Sequence, residues 1–254
     1  SYSFLWMQAN GAQLRELAAL TARFNEMAQE VGRAHREEPH QQRDIARPQA
    51  QPYHVKALGP VVNYFFPRPR ATAPQDPVMQ NLGRVACSQA GSGGNAHHRT
   101  RIRIIQYAIY GNRGTWIAKK LRNLWGRGCD IKIIYSLMTR PVLQILRNSS
   151  GRGPVPMRQS VIKNGSGVIT SYNHSKWMTI TGRWAPSRSN WITFTGSANW
   201  ALLAFGSDEQ MQRLHSRTQA IYHLRAFAKT WAQKTSRKPP SGRLLASARS
   251  APVP

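Results

Sequence analysis

The segment Tyr172-Asn173-His174-Ser175-Lys176 places an imidazole and an ammonium two residues apart. Side chains of a β-strand alternate between its faces, so residues i and i+2 share one. An extended segment here therefore projects His174 and Lys176 together. Such a pair suits a phosphate ester. The imidazole can attack phosphorus or protonate a leaving oxygen, and the ammonium can hold the non-bridging oxygens. His-x-Lys alone also fits a lysine lying along apolar surface and a loop histidine, so its meaning depends on the residues C-terminal to it. The strand-like Trp191–Thr195 runs into Gly196-Ser197-Ala198-Asn199-Trp200. Gly196 permits a sharp turn. Ser197 is expected to cap a following helix whose first amides offer an anion site. The Ser197 hydroxyl and the Asn199 amide add hydrogen-bond partners. Ten residues beyond Asn199, Glu209 is expected on the next strand, where its carboxylate can accept a proton from His174 and fix the reactive tautomer. Asp208 would face the other way.

The elements around these residues follow from apolar spacing. Arg101–Tyr110 alternates and then becomes apolar, as a core strand does. Thr115–Trp125 sets Trp116, Ile117, Leu121, Leu124 and Trp125 on one helical face, and Asp130–Ser136 is the next strand. Strand, helix and strand at this spacing predict a βαβ unit and a partly parallel sheet. Pro141 opens a short helix through Arg147. Further strands are predicted near 61–66, 159–163, 167–172, 175–181, 191–195 and 208–213, a loop over 89–99, and a final helix from Thr218 to Ala232. Near the N-terminus, 12–31 reads as an amphipathic helix and 33–51 as a linker. The last twenty or so residues read as a disordered tail.

His-x-Lys, then Gly-Ser-x-Asn, then a glutamate about ten residues on, resembles the pattern of the phospholipase D superfamily. The surroundings are similar to secreted actinobacterial members: Tyr64-Phe65-Phe66-Pro67-Arg68, the Gly114–Leu124 helix, Gly128-Cys129 before a strand, and Asn199-Trp200. The resemblance covers about residues 58–232. It implies an α/β fold with a mixed sheet flanked by helices, an α-β-α sandwich. It also implies a two-step reaction through a phosphohistidine, needing no metal or cofactor. His174, Lys176, Ser197, Asn199 and Glu209 would be the catalytic residues, with Lys176, Ser197 and Asn199 binding phosphate. The expected organisation is a remnant of a preceding motif half plus linker over 1–54, a catalytic half over 55–234 and the tail over 235–254.

Two departures from the pattern stand out. Thr181 occupies the place of the aspartate five positions after the motif lysine. That aspartate supports the site, so Thr181→Asp is expected to preserve or raise activity. Second, only one motif copy is present, whereas the two-step reaction needs two imidazoles. The other half is expected from a missing N-terminal segment, since Met7-Gln8-Ala9-Asn10 resembles a decayed Gly-Ser-Ala-Asn and Phe24-Asn25-Glu26 the acidic segment after it. The alternative is a homodimer that pairs two copies of His174 across a two-fold axis.

Thirty-six Lys and Arg face ten Asp and Glu, a net charge of +26. Expected partners are therefore anionic: phospholipid, an acidic membrane surface, or nucleic acid. Trp177, Trp184, Trp191 and Trp200 could include side chains resting at a lipid interface or could be core. No apolar run approaches the roughly 18 residues of a membrane-spanning helix. The chain begins at Ser1 without an initiator Met or a basic-then-apolar leader, as a processed or partial chain would, and the resemblance points to secretion. Cys87 and Cys129 fit either one disulfide or two buried thiols, and no Cys/His spacing suggests zinc. The adjacent His97 and His98 lack partner ligands.

Overall fold

A computed structural model describes residues 53–68 and 70–237. The helix expected over 12–31, the linker, the segments at Met7–Asn10 and Phe24–Glu26, and the tail beyond Arg237 lie outside the described residues.

Two antiparallel strands come first, β1 (His54–Leu58) and β2 (Val61–Phe65). β1 is exposed along most of its length, and its one apolar pair, Val55 and Ala57, is too short to read as a strand, so only backbone pairing with β2 reveals it. Helix α1 (Pro77–Gly83) is short. It starts where Asp76 accepts a hydrogen bond from the Val78 amide, with Pro77 at the first helical position. The βαβ unit forms as expected from β3 (Arg101–Ile109), α2 (Gly111–Gly126) and β4 (Asp130–Met138). β3 and β4 pair in parallel, with Ile102 beside Ile131 and Ile104 beside Ile133. Then come α3 (Arg140–Arg147), β5 (Met157–Lys163), β6 (Ile169–Tyr172), β7 (Lys176–Trp184) and β8 (Ser187–Gly196). A single turn, α4 (Leu203–Gly206), leads to β9 (Gln210–His215), α5 (Arg217–Ala232) and β10 (Ser236–Arg237). β10 pairs with β5 at the point where the sequence suggests that the tail begins.

The strands join one mixed sheet in the order β1-β2-β9-β8-β7-β3-β4-β5-β10, with β6 paired off β5. β3–β4 and β4–β5 are parallel and the other pairs antiparallel. One face packs Ile102, Ile104, Ile131, Ile133 and Ile180 against Leu82 of α1, Ile117, Leu121 and Leu124 of α2, and Val142 and Leu146 of α3. The other packs Ile105, Ile134 and Trp177 against Phe227 and Trp231 of α5. Helices cover both faces of the sheet, which is the α-β-α sandwich. Trp177, Trp184 and Trp200 are buried, and Trp191 is half-buried with the Arg217 guanidinium over its ring. Trp177, Trp184 and Trp200 build the core and do not form a lipid-facing belt.

Cys87 and Cys129 are joined in a disulfide, which resolves the choice between a bridge and two thiols. It ties the segment after α1 to the start of β4 across a sequence separation of 42. Closing a loop of that length in the unfolded chain corresponds to about 4 kcal/mol in the chain-entropy treatment. Cys87→Ser/Cys129→Ser should therefore unfold at lower urea, with stability reduced by about 2–4 kcal/mol.

Thr181 is fully buried, and its hydroxyl donates to the Gly93 carbonyl at 2.7 Å, pinning the glycine-rich 89–99 loop to the sheet. It lies an odd number of residues from Lys176 along β7 and so faces away from it. A carboxylate at this position would meet the Gly93 carbonyl oxygen instead of donating to it. Thr181→Asp should lower stability by about 3 kcal/mol and loosen the loop, read by thermal melting and by proteolysis within 89–99.

Candidate active site

The candidate residues meet at one edge of the sheet, where β3, β4 and β8 end and β7 and β9 begin. His174 lies just before β7, not on it. Its segment is set by local hydrogen bonds. Asn173 Oδ1 accepts from the Ser175 amide at 2.9 Å, a turn typical of asparagine. The Ser136 hydroxyl, buried in β4, lies 2.7 Å from the Asn173 carbonyl, and the Ser175 carbonyl accepts from the Tyr107 amide at 2.9 Å. With the backbone so held, Lys176 Nζ lies 3.1 Å from His174 Nε2 and 3.1 Å from the His174 carbonyl. The histidine and lysine come together as expected, through a turn in place of strand alternation. Tyr107 packs its ring against His174 at 4.4 Å and against Tyr172 at 4.9 Å, and Lys176 Nζ sits 5.2 Å above the Tyr107 ring.

Beside this pair opens a small cleft, lined by Lys176, Gln106, Gly196, Ala198, Trp200 and Gln210 among others. Gly196 ends β8 opposite Met211, and a Cβ there would run into the Gln210 carbonyl. Glycine is required for this close approach of two strands, not for a sharp turn. Ser197 caps no helix. Its hydroxyl accepts from the Gln210 amide at 3.1 Å and its own amide donates to the Gln210 carbonyl at 3.0 Å. The next helix begins only at Leu203 and has no side-chain cap, so the expected helix N-terminus is not at the site. Asn199 is held through its backbone: its carbonyl accepts from Arg113 Nη1 at 2.7 Å. Its side-chain Oδ1 is buried with no hydrogen-bond partner among the described residues. Glu209 precedes β9, and its carbonyl accepts from the Phe66 amide. Among the described residues it makes no hydrogen bond to His174. Its carboxylate acts on Lys176 instead, as a counter-charge.

Sequence reasoning missed the supports. Gln106 is buried next to Lys176 in register and donates to the Ala198 carbonyl at 3.3 Å. Arg113 and Asp76 form a buried ion pair at 3.0 Å that carries the clamp on Asn199. Polar residues interrupting an apolar strand and an otherwise apolar helix face, Gln106 and Arg113, were the available signal.

Burial and the nearby Lys176 ammonium lower the pKa of His174, so the imidazole stays neutral to more acidic pH than an exposed one. Burial also lowers the pKa of Lys176, and Glu209 opposes that shift. The signs predict a pH–rate profile. Protonation of His174 should set an acid limb below that of a free imidazole. Glu209→Gln removes the opposing charge, drops the Lys176 pKa further, and should move the alkaline limb of kcat/KM to lower pH.

A family model described as "Cardiolipin synthase, PLD-like domain" matches residues 94–231 of the 254. No curated protein matches the sequence. Solved structures similar to this chain include NucT from Helicobacter pylori, at 17% identity and a TM-score of 0.44, covering 73% of this chain and 100% of that one. Nuc from Salmonella typhimurium, described as a phospholipase D family member, matches at 18% identity and a TM-score of 0.42, covering 64% and 90%. Polyphosphate kinase from Porphyromonas gingivalis matches at 16% identity and a TM-score of 0.43, covering 71% of this chain and 27% of its own.

Proposed function

The chain belongs to the phospholipase D superfamily of phosphodiesterases, and on that premise we propose that it hydrolyses the head-group phosphodiester of glycerophospholipids to phosphatidate. The observation that carries the chemistry is the contact of His174 and Lys176 at the cleft bounded by Gly196 and Ala198. The neutral imidazole attacks phosphorus, and the bond to the head-group alcohol breaks as that oxygen takes up a proton. Water then displaces the imidazole from the phosphohistidine, yielding phosphatidate and free His174. Lys176 and the Asn199 amide hold the non-bridging oxygens, where negative charge gathers. The proton donor in the first step is a second imidazole, from a preceding motif half or from the His174 of a second copy.

The lipid substrate is favoured by the lipid-synthase description of the matching family model. The disulfide fits an exported protein, which meets membranes in an oxidising compartment. A second reading, a superfamily nuclease, draws on the charge distribution. Acids among the described residues are Asp76, Asp130, Asp208 and Glu209, and the first two are paired to Arg113 and Arg103. Tyr172, exposed near His174, offers a face on which a base could stack. Head-group release from phospholipid vesicles supports the first reading, and nicking of plasmid DNA in chelator supports the second. Neither activity, with salt-sensitive binding to both polyanions, would leave a catalytically impaired protein that binds anionic surfaces.

A further inference from the structure

The edge that holds the site also gathers exposed apolar side chains. Between Trp200 and Glu209, Leu202 and Leu203 are 37% and 62% exposed. On the other side of His174, Leu137 at the end of β4, Val168 in the β5–β6 turn and Tyr172 at the end of β6 are 38%, 59% and 51% exposed. Neither group sits on an unanchored loop. Phe205 of α4 is buried against Phe66, with the Arg113 guanidinium over its ring, so the turn that presents the leucines is fixed from beneath. The β5–β6 hairpin is fixed by pairing of Val161 with Tyr172 and Ile162 with Ser171. The same edge carries exposed Arg70 after β2, Arg140 at the start of α3 and Lys163 at the end of β5, against one exposed acid, Asp208.

We propose that this edge is a docking surface for an anionic phospholipid bilayer, with Leu202–Leu203 and Val168 as two apolar prongs that enter the interface on opposite sides of His174. The proposal rests on the lipid reading of the site. Apolar side chains sink to the boundary between head groups and acyl chains, and nearby cations pair with lipid phosphates. Prongs on both sides of the cleft bring the His174–Lys176 pair to the depth of the phosphodiester, so a lipid need not leave the bilayer to be cut. Charge selects this occupant over the others. A two-fold contact with a second copy would set the patch that holds Arg70, Arg140 and Lys163 against the same cationic patch, in a chain of net charge +26. A nucleic-acid backbone would match the cations but gives leucine and valine little to contact.

The test compares the full chain with Leu202→Ser/Leu203→Ser and with Val168→Ser. Three readouts are used: cosedimentation with vesicles of phosphatidylglycerol and phosphatidylcholine, hydrolysis of those vesicles, and hydrolysis of a short-chain phospholipid kept monomeric. Both variants should cut the monomeric lipid at the wild-type rate while partitioning onto vesicles about tenfold less and hydrolysing them correspondingly slowly. Wild-type binding should also drop on vesicles of phosphatidylcholine alone. Unchanged cosedimentation of both variants overturns the proposal, and so does a shift from dimer to monomer in the leucine variant, which would mean that a second copy covers those side chains. If the wild type leaves monomeric lipid uncut, the hydrolase reading fails on its own, and cosedimentation still decides the surface.

Discussion

His174→Ala should remove phosphodiesterase activity, with kcat lowered by about 10³-fold or more and the melting temperature nearly unchanged. The side chain is largely exposed, and its packing contacts are the rings of Tyr107 and Tyr172, so its loss opens no core cavity. What disappears is the one imidazole, among the described residues, that contacts Lys176 and is neutral at ordinary pH. Lys176→Ala should behave differently. It leaves the nucleophile in place but removes the charge that holds the phosphoryl oxygens, so it raises KM as well as lowering kcat. Its loss also lifts the repulsion that depresses the His174 pKa, so any residual activity should show an acid limb shifted to higher pH. Substantial turnover by purified His174→Ala would remove His174 from the chemistry, because no other described histidine touches Lys176.

The pattern of residue types is enough to assemble the histidine–lysine pair and the βαβ frame. Ile102, Ile104, Ile131 and Ile133 alternate as strands do, and the stripe through Ile117, Leu121 and Leu124 repeats as a helix does, so burial follows period. Relations set by tertiary contact are not legible in this way. Gly196 has the setting of a turn glycine, yet its constraint comes from Gln210 on the neighbouring strand. Ser197 has the composition of a helix cap, but the Gln210 amide claims its hydroxyl. Thr181 stands at a motif position, whereas its partner is a loop carbonyl 88 positions earlier. β1 and α1 escape because one is exposed and the other is short, and neither carries an apolar rhythm long enough to read.

The largest stability effect should come from Asp76→Ala. Arg113 and Asp76 are almost wholly excluded from solvent, and the carboxylate takes two guanidinium contacts, at 3.0 and 3.4 Å, while also accepting from the Val78 amide that starts α1. Removing it strands a buried positive charge and uncaps a helix, a loss of about 3–5 kcal/mol from the charge and about 1 kcal/mol from the cap. Activity should fall as well, because the same guanidinium holds the Asn199 carbonyl at 2.7 Å and so fixes the turn that lines the cleft. The double variant Asp76→Val/Arg113→Met separates the two roles. It leaves no unpaired charge and fills similar volume, so most of the stability should return in urea denaturation. Activity should not return with it, since methionine cannot donate to Asn199. Recovery of both would show that the ion pair only packs the interior. Stability that returns without turnover would identify Arg113 as the positioning residue of the Asn199 turn, acting through the backbone between Ala198 and Trp200, which line the cleft.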